Sequence, residues 1–279
     1  MLIFEHLYLH RRHLLLVVSG LLSVLPSLSG QTAKELMADA CYNELQQRKQ
    51  DPLWASQVQR RTGGHVYLEK EIETAGGPVH RLLLVDGHEP SPSERRQDDD
   101  RLRKLMNNPN TQEAILKARE ADERKVDDLL RVIPDAFLFD DQGKQGGFEK
   151  LEFSPNPAYK PKSYEEMALH AMTGILLIDL QEKRLAQISA TLTQQVEFGH
   201  GLIGSLKRGG TIEVKRTRLS TGIWKTSSTR IDINGHILLL KTISKQQDET
   251  QSGFTPETPD TSIEKALEEL VGNRVNASD

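Results

Sequence analysis

The side chains able to do chemistry in this 279-residue chain are scattered along it. Beyond the first thirty residues the histidines are His65, His80, His88, His170, His200 and His236. A zinc site favours two histidines four apart on a helix or two apart on a strand, and none of these pairs qualifies. Cys41 is the single cysteine, so an internal disulfide is excluded and no Cys-x-x-Cys motif exists. It falls at helical spacing near Met37 and Leu45 and reads as a buried thiol. Acylation within Ala38-Asp39-Ala40-Cys41 is the rival, opposed by the acidic residue and by the distance from the apolar leader. There is no Gly-x-Ser-x-Gly elbow, and Lys207-Arg208-Gly209-Gly210-Thr211 lacks the Lys-Ser/Thr that leads a phosphate loop into a helix. Asp98-Asp99-Asp100 and Asp127-Asp128 fall in charged helices, whereas paired catalytic carboxylates must face each other across a cleft. The chain is therefore expected to be non-catalytic, with no cofactor and no metal. A hydrolase assembled from dispersed His and Asp is the less favoured alternative. Lys207, Arg208, Lys215 and Arg216 gather beside the apolar Leu202 to Leu206, a pattern suited to anionic lipid head groups, or to plain solvated strand charge.

The elements that would position these groups centre on Thr173 to Lys245, where apolar and polar residues alternate. Ala186, Ile188, Ala190 and Leu192 share one face of a strand, with Gln187, Ser189 and Thr191 on the other. Leu176 and Ile178 belong to the preceding strand. These six are the candidate lining of an apolar site, or simply core. Asn234-Gly235 predicts a hairpin turn. Upstream, Thr32-Ala33-Lys34-Glu35 is a capping box that starts a helix from Ala33 to Arg48. Strands follow at Leu53 to Arg60, His65 to Thr74 and Val79 to Val85, turned by Gly63-Gly64 and Gly76-Gly77. Alternation puts Val66, Leu68, Lys70 and Ile72 on a core face, and His65, Tyr67, Glu69, Glu71 and Glu73 toward water. Residues 93–132 predict two charged helices parted at Asn108-Pro109, capped by Ser93 and by Asn110 or Thr111, with Pro134 ending the segment. After Gln246 a polar tail leads to a last helix at Ile263 to Leu270.

Hydrophobic residues make up 37% and charged residues 27%, a soluble composition, and the net charge of −4 argues against a nucleic-acid partner. Arg11, Arg12 and His13 precede the apolar run Leu14 to Leu25, then Pro26 and small residues. That order predicts a signal peptide over residues 1–29, cleaved between Ser29 and Gly30, and a periplasmic or secreted mature protein. The run is too short for a transmembrane span, and none is expected in the mature chain.

Met172-Thr173-Gly174-Ile175-Leu176-Leu177-Ile178-Asp179, followed by Lys183-Arg184-Leu185-Ala186-Gln187-Ile188, resembles the strand, Asp, turn, basic residue, strand signature of bacterial outer-membrane lipoprotein-sorting proteins, the LolA/LolB-like group. Leu151-Glu152-Phe153-Ser154-Pro155-Asn156-Pro157 is similar to the strand and proline loop preceding it there. The resemblance covers Ala136 to Lys245. It implies an incomplete antiparallel barrel with helices over an apolar face, and binding of acyl chains without chemistry. The expected fold is α+β: a single domain over residues 30–279 with one strongly curved antiparallel sheet and helices on one face. The expected function is a binding or carrier protein for a lipid or lipoprotein acyl chain. The alternative is an envelope protein-interaction module with a closed core and no ligand.

Overall fold

The first helix, α1 (Ala33–Gln50), opens on the capping box its sequence predicts: Glu35 N–H donates to the Thr32 hydroxyl, and Thr32 N–H donates to the Glu35 carboxylate. In this computed structural model the described residues are 31–199, 203–237 and 241–272. The expected signal peptide, residues 1–29, lies outside them, as do residues 200–202 of the glycine-rich interruption. Three strands follow α1: β1 (Trp54–Thr62), β2 (His65–Ile72) and β3 (Val79–Val85). Gly63 and Gly64, with φ of 58° and 84°, turn Thr62 back onto His65, a left-handed pair that glycine adopts without strain.

Two long helices come next, α2 (Pro92–Met106) and α3 (Pro109–Ala136). Their caps are Ser91 and Asn108 rather than Ser93 and Asn110 or Thr111. Pro92 and Pro109 take the first helical position, where a missing N–H costs nothing, and so set each start earlier. Pro134 does not end α3; the helix runs through it for its last turn, to Ala136. The chain then returns to strands β4 (Phe137–Gln145) and β5 (Phe148–Pro155), a short helix α4 (Tyr164–Leu169), and β6 (Met172–Asp179) and β7 (Arg184–Leu192). The short β8 (Val196–Phe198) and β9 (Gly204–Leu206) precede β10 (Thr211–Arg218), β11 (Trp224–Ile237), β12 (Lys241–Pro256) and α5 (Ile263–Gly272).

The molecule is α+β, with one large antiparallel sheet of twelve strands that does not close and five helices among the described residues. Ten strands run in the order β3-β2-β1-β12-β11-β10-β7-β6-β5-β4, and β8 with β9 forms a flap on the end of β11. Two expectations fail here. Asn234-Gly235 is not a turn but lies within β11, pairing with Ser244 and Ile243. Gly235 is needed because β9 crosses so closely that a Cβ would stand 2.3 Å from the Ser205 carbonyl oxygen. The segment after Gln246 is not a tail either. It continues β12, an interior strand between β1 and β11, and its polar side chains find charged partners: Glu249 and Asp248 stand 3.6 and 3.7 Å from Arg60 and Arg61.

Two apolar clusters hold the helices. The larger joins Leu36, Met37, Ala40 and Cys41 of α1 to Leu130 of α3 and to Phe137, Leu151, Phe153, Met172, Leu176, Ile178, Leu185, Ala190 and Leu192. Burial raises the Cys41 thiol pKa to about 12, so the cysteine is inert packing. The smaller joins Ala55, Ile72 and Val79 to Leu102 and Leu105 of α2 and to Ile263, Leu267 and Leu270 of α5. Cross-strand partners share a face, and the register from Ile188 through Val214, Thr229 and Glu249 reaches Arg60. Ala55, of opposite parity to Arg60, and its partner Ile72 therefore point to the other side of the sheet. The helices are thus shared between two clusters. α2 also shields the edge strand β3: Leu82 N–H donates to Asp98 at 3.3 Å, and Arg101 donates to the His80 carbonyl.

Candidate functional site

The strongest candidate site lies where α1 and α3 stand over the middle of the sheet. Its base is a buried ion cluster. Glu44, 5% exposed, sits on the face of α1 that packs against the sheet. It accepts a two-pronged contact from Arg184, at 2.9 and 2.6 Å, and a bond from Leu185 N–H at 3.1 Å. Arg216 also pairs with Glu44, and it donates to the carbonyls of Leu185 at 3.2 Å and Trp224 at 2.9 Å. A buried carboxylate is stable in such a place only because charged donors reach both its oxygens. Gln47, one turn along, donates to the Trp224 carbonyl at 2.9 Å and accepts from its N–H at 3.2 Å. These contacts fix the C-terminal half of α1 on β7, β10 and β11.

Beside this cluster opens a cavity of about 290 Å³. Leu185 and Ile188 are its apolar floor, Val126 and Leu130 of α3 its wall, and Arg216, Lys225, Glu73 and Asp51 its polar side. The wall is lightly held: of the 28 residues of α3, only Leu130 and Ala136 are buried, and Val126 is 42% exposed. Arg48 of α1 reaches across to Asp127 of α3 at 2.9 Å. Beside it lies a charged chamber of about 440 Å³, and Arg48, Asp51, Glu73 and Lys225 line both. Lys225 binds Asp51 and Glu73, each at 3.1 Å, and stands 5.8 Å from the Trp54 ring. Burial raises the Glu73 pKa despite that cation.

A second, polar pocket of about 370 Å³ lies on the same face, over β1, β2 and β12, lined by Arg60, Glu69, Glu71, His80, Arg101 and Glu249. Glu71 approaches His80 Nδ1 at 3.3 Å and accepts from Gln251 at 3.3 Å; Arg60 pairs with Glu69. Burial is the main cause that raises the Glu71 pKa to about 7 and lowers that of His80 to about 4, so an uncharged acid faces an uncharged imidazole in mildly acidic solution. This corrects the expectation that Glu69, Glu71 and Glu73 face water: Glu71 is 9% exposed, and the face is covered by its own ion pairs and by Arg101 of α2. No group of three or more His, Cys, Asp or Glu residues with metal-binding geometry occurs among the described residues.

The six residues expected to line an apolar site divide. Leu176, Ile178, Ala190 and Leu192 are buried in the larger cluster, closed over by α1. Ile188 packs on that cluster and also faces the cavity. Ala186 does not share the face with them. The pairing of β6 with β7 slips between Leu177 and Ile178, so that Ile178 meets Leu185 and Ala186 becomes the extra residue of a β-bulge. The four basic residues also separate. Arg216 is turned inward to Glu44 and cannot touch a head group at the surface; Lys215, partner of Gln187, points to the opposite face and pairs with Glu213 at 2.9 Å. Lys207 and Arg208 are both exposed in the turn before β10. Among the described residues no helix is long and apolar enough to cross a membrane.

Comparison of the chain with protein-family models, with curated proteins and with solved structures finds no match in any of the three.

Proposed function

We propose that this is a non-catalytic binding or carrier protein for an apolar-tailed ligand, a lipid or the acyl chain of a lipoprotein, working outside the cytoplasm. One observation carries the reading: an apolar floor, Leu185 and Ile188, adjoins a cavity whose outer wall is the weakly buried α3. Such a site needs apolar area and a way in, and each methylene taken from water contributes about 0.8 kcal/mol. The volume stands at the small end of ligand sites, so a long chain requires α3 to lift, which its sparse burial favours. The resemblance to lipoprotein-sorting proteins points the same way. The test is mass spectrometry of lipid carried through purification, with calorimetric titration of a twelve-carbon amphiphile into stripped protein. Absence of both co-purified lipid and binding heat would refute the reading. A second reading, a hydrolase, draws on His80 and Glu71 meeting in one pocket. Turnover of ester or glycoside substrates that His80→Ala abolishes would favour it.

A further inference from the structure

One end of the sheet gathers exposed apolar groups and unpaired cations. Tyr164, 48% exposed at the start of α4, packs against Phe198 of β8 with ring centroids 5.2 Å apart. Ile203, 45% exposed, donates through its N–H to the Phe198 carbonyl at 3.1 Å. The turn at Lys207 and Arg208 belongs to the same end. Val196 pairs with Leu206, the residue before it; Gly209 N–H donates to the Leu192 carbonyl at 2.8 Å; and Thr193 N–H donates at 3.0 Å to the carbonyl of Ala171, just past α4. Lys160 and Lys162, in the loop leading into α4, are exposed as well. None of these four cations forms an ion pair among the described residues. The nearby carboxylates do not offset them. Glu165 pairs with Lys125 at 3.6 Å and Asp135 with Lys34 at 2.7 Å, which leaves Glu166, bonded by the Tyr159 hydroxyl at 2.7 Å, with Glu197 and Asp232. Four cations against these three carboxylates make this end positive on a chain of net charge −4.

We propose that this end docks on an anionic lipid surface, Tyr164 and Ile203 entering the interface while Lys160, Lys162, Lys207 and Arg208 face the head groups. It concerns an outer surface and does not depend on the cavity reading above. A half-exposed apolar side chain gains by leaving water for the acyl boundary, and tyrosine suits that depth because its ring is apolar and its hydroxyl is not. A cation without a partner breaks no ion pair when it meets a phosphate, so its attraction to an anionic leaflet is undiminished. A stable protein partner would engage roughly twenty residues a side around an apolar core. Two exposed apolar side chains ringed by basic charge are too few for that, and match the two signals of reversible membrane attachment.

Cys41 is buried and inert, so a thiol introduced at an exposed position can be labelled alone. The full chain with Tyr164→Cys, carrying an environment-sensitive nitrobenzoxadiazole label, is titrated with vesicles of phosphatidylcholine alone and of phosphatidylcholine mixed with phosphatidylglycerol. Emission should brighten and move to the blue on the anionic vesicles only, and the change should reverse in high salt. Arg103→Cys, at an exposed position on α2, should show no shift. Adding Lys207→Gln and Arg208→Gln to the Tyr164→Cys chain should weaken its vesicle affinity on the order of tenfold. Residues 1–29 are common to every chain compared and cannot produce these differences. An equal shift on both kinds of vesicle, a shift at Arg103→Cys as well, or an affinity unaltered by the two glutamines overturns the proposal. So does no shift on either vesicle, which would leave the basic end to an acidic protein. None of these results touches the cavity reading, whose test uses soluble amphiphiles.

Discussion

Replacing Glu71 by glutamine should stabilise the protein in alkaline solution and change it little in acid. Glu71 is 9% exposed, shares its pocket with Glu69 and Glu249, and stands 3.3 Å from His80. Burial first, then the neighbouring carboxylates, raises its pKa from 4.5 to about 7. A carboxyl whose folded pKa lies above its unfolded value holds its proton better in the native state. Its contribution to stability is therefore complete below about pH 4.5 and is lost as the pH rises through about 7. At about 1.4 kcal/mol per unit, the loss is on the order of 3 kcal/mol once both states are ionised. Glutamine cannot ionise, still accepts from Gln251 and can donate to a neutral His80. His80, held down to about 4 by burial, loses stability as the pH falls from 6.5 toward 4, but does so in both proteins and cancels in the difference. Urea unfolding should show Glu71→Gln more stable by less than about 1 kcal/mol near pH 5 and by about 3 kcal/mol near pH 8.5. A variant no more stable than wild type near pH 8.5, or a gap that fails to widen with pH, would refute the argument that burial holds Glu71 protonated.

Ile188→Asp should stay folded, because the carboxylate can take water from the cavity, yet lose most affinity for apolar ligands; Leu176→Asp, in the closed core, should cost several kcal/mol and unfold the domain. Circular dichroism melting of both variants decides this, and equal melting points would contradict the division of the six residues. Gly174→Ala places a Cβ 1.9 Å from the Ser189 carbonyl oxygen and should part β6 from β7, costing more than about 2 kcal/mol, whereas Gly209→Ala, with open space around it, should cost only the strain of its φ of 90°. Chemical denaturation of the pair measures the contrast. Glu44→Ala strands Arg184 and Arg216 in the interior and should cost about 3–5 kcal/mol, while Asp39→Ala, removing only the partly exposed contacts with Lys183 and Gln31, should cost under about 1. Amide exchange should be faster in α3 than in β6, in keeping with its two buried residues; slower exchange there would contradict a liftable wall.

Much of the fold was legible because local chemistry and tertiary packing agree. The Thr32 and Glu35 box, the Gly63-Gly64 turn and the alternation in β1 to β3 each act within a few residues. The failures come where a distant partner decides. β12 has a polar outline on both faces, since its neighbours offer arginine rather than leucine, so no apolar period marks it as an interior strand. The bulge at Ala186 shifts a face by one residue without any glycine or proline to announce it. The Glu71 pocket did have a signal. The two-residue turn fixes Val58 opposite Glu69 and Ser56 opposite Glu71, which puts Arg60 diagonal to Glu69 and makes the carboxylate row a paired face. Glu44 carried none, because a glutamate on the apolar stripe of α1 is explained only by arginines 140 and 172 positions later.

The pairing of β1 with β12 has a consequence for how the protein comes into being. Trp54 meets Pro256 and Arg61 meets Asp248, so β1 and the hairpin strands it carries wait for a strand made far later. Contacts this far apart in sequence are slow to form, and until they do, β1 and β11 each present a bare edge able to pair with another chain. A ribosome that stalls before Lys241 therefore releases a chain with two adhesive edges rather than a shorter version of the native protein. Synthesis of β12, and not local stability, is the step that covers both edges.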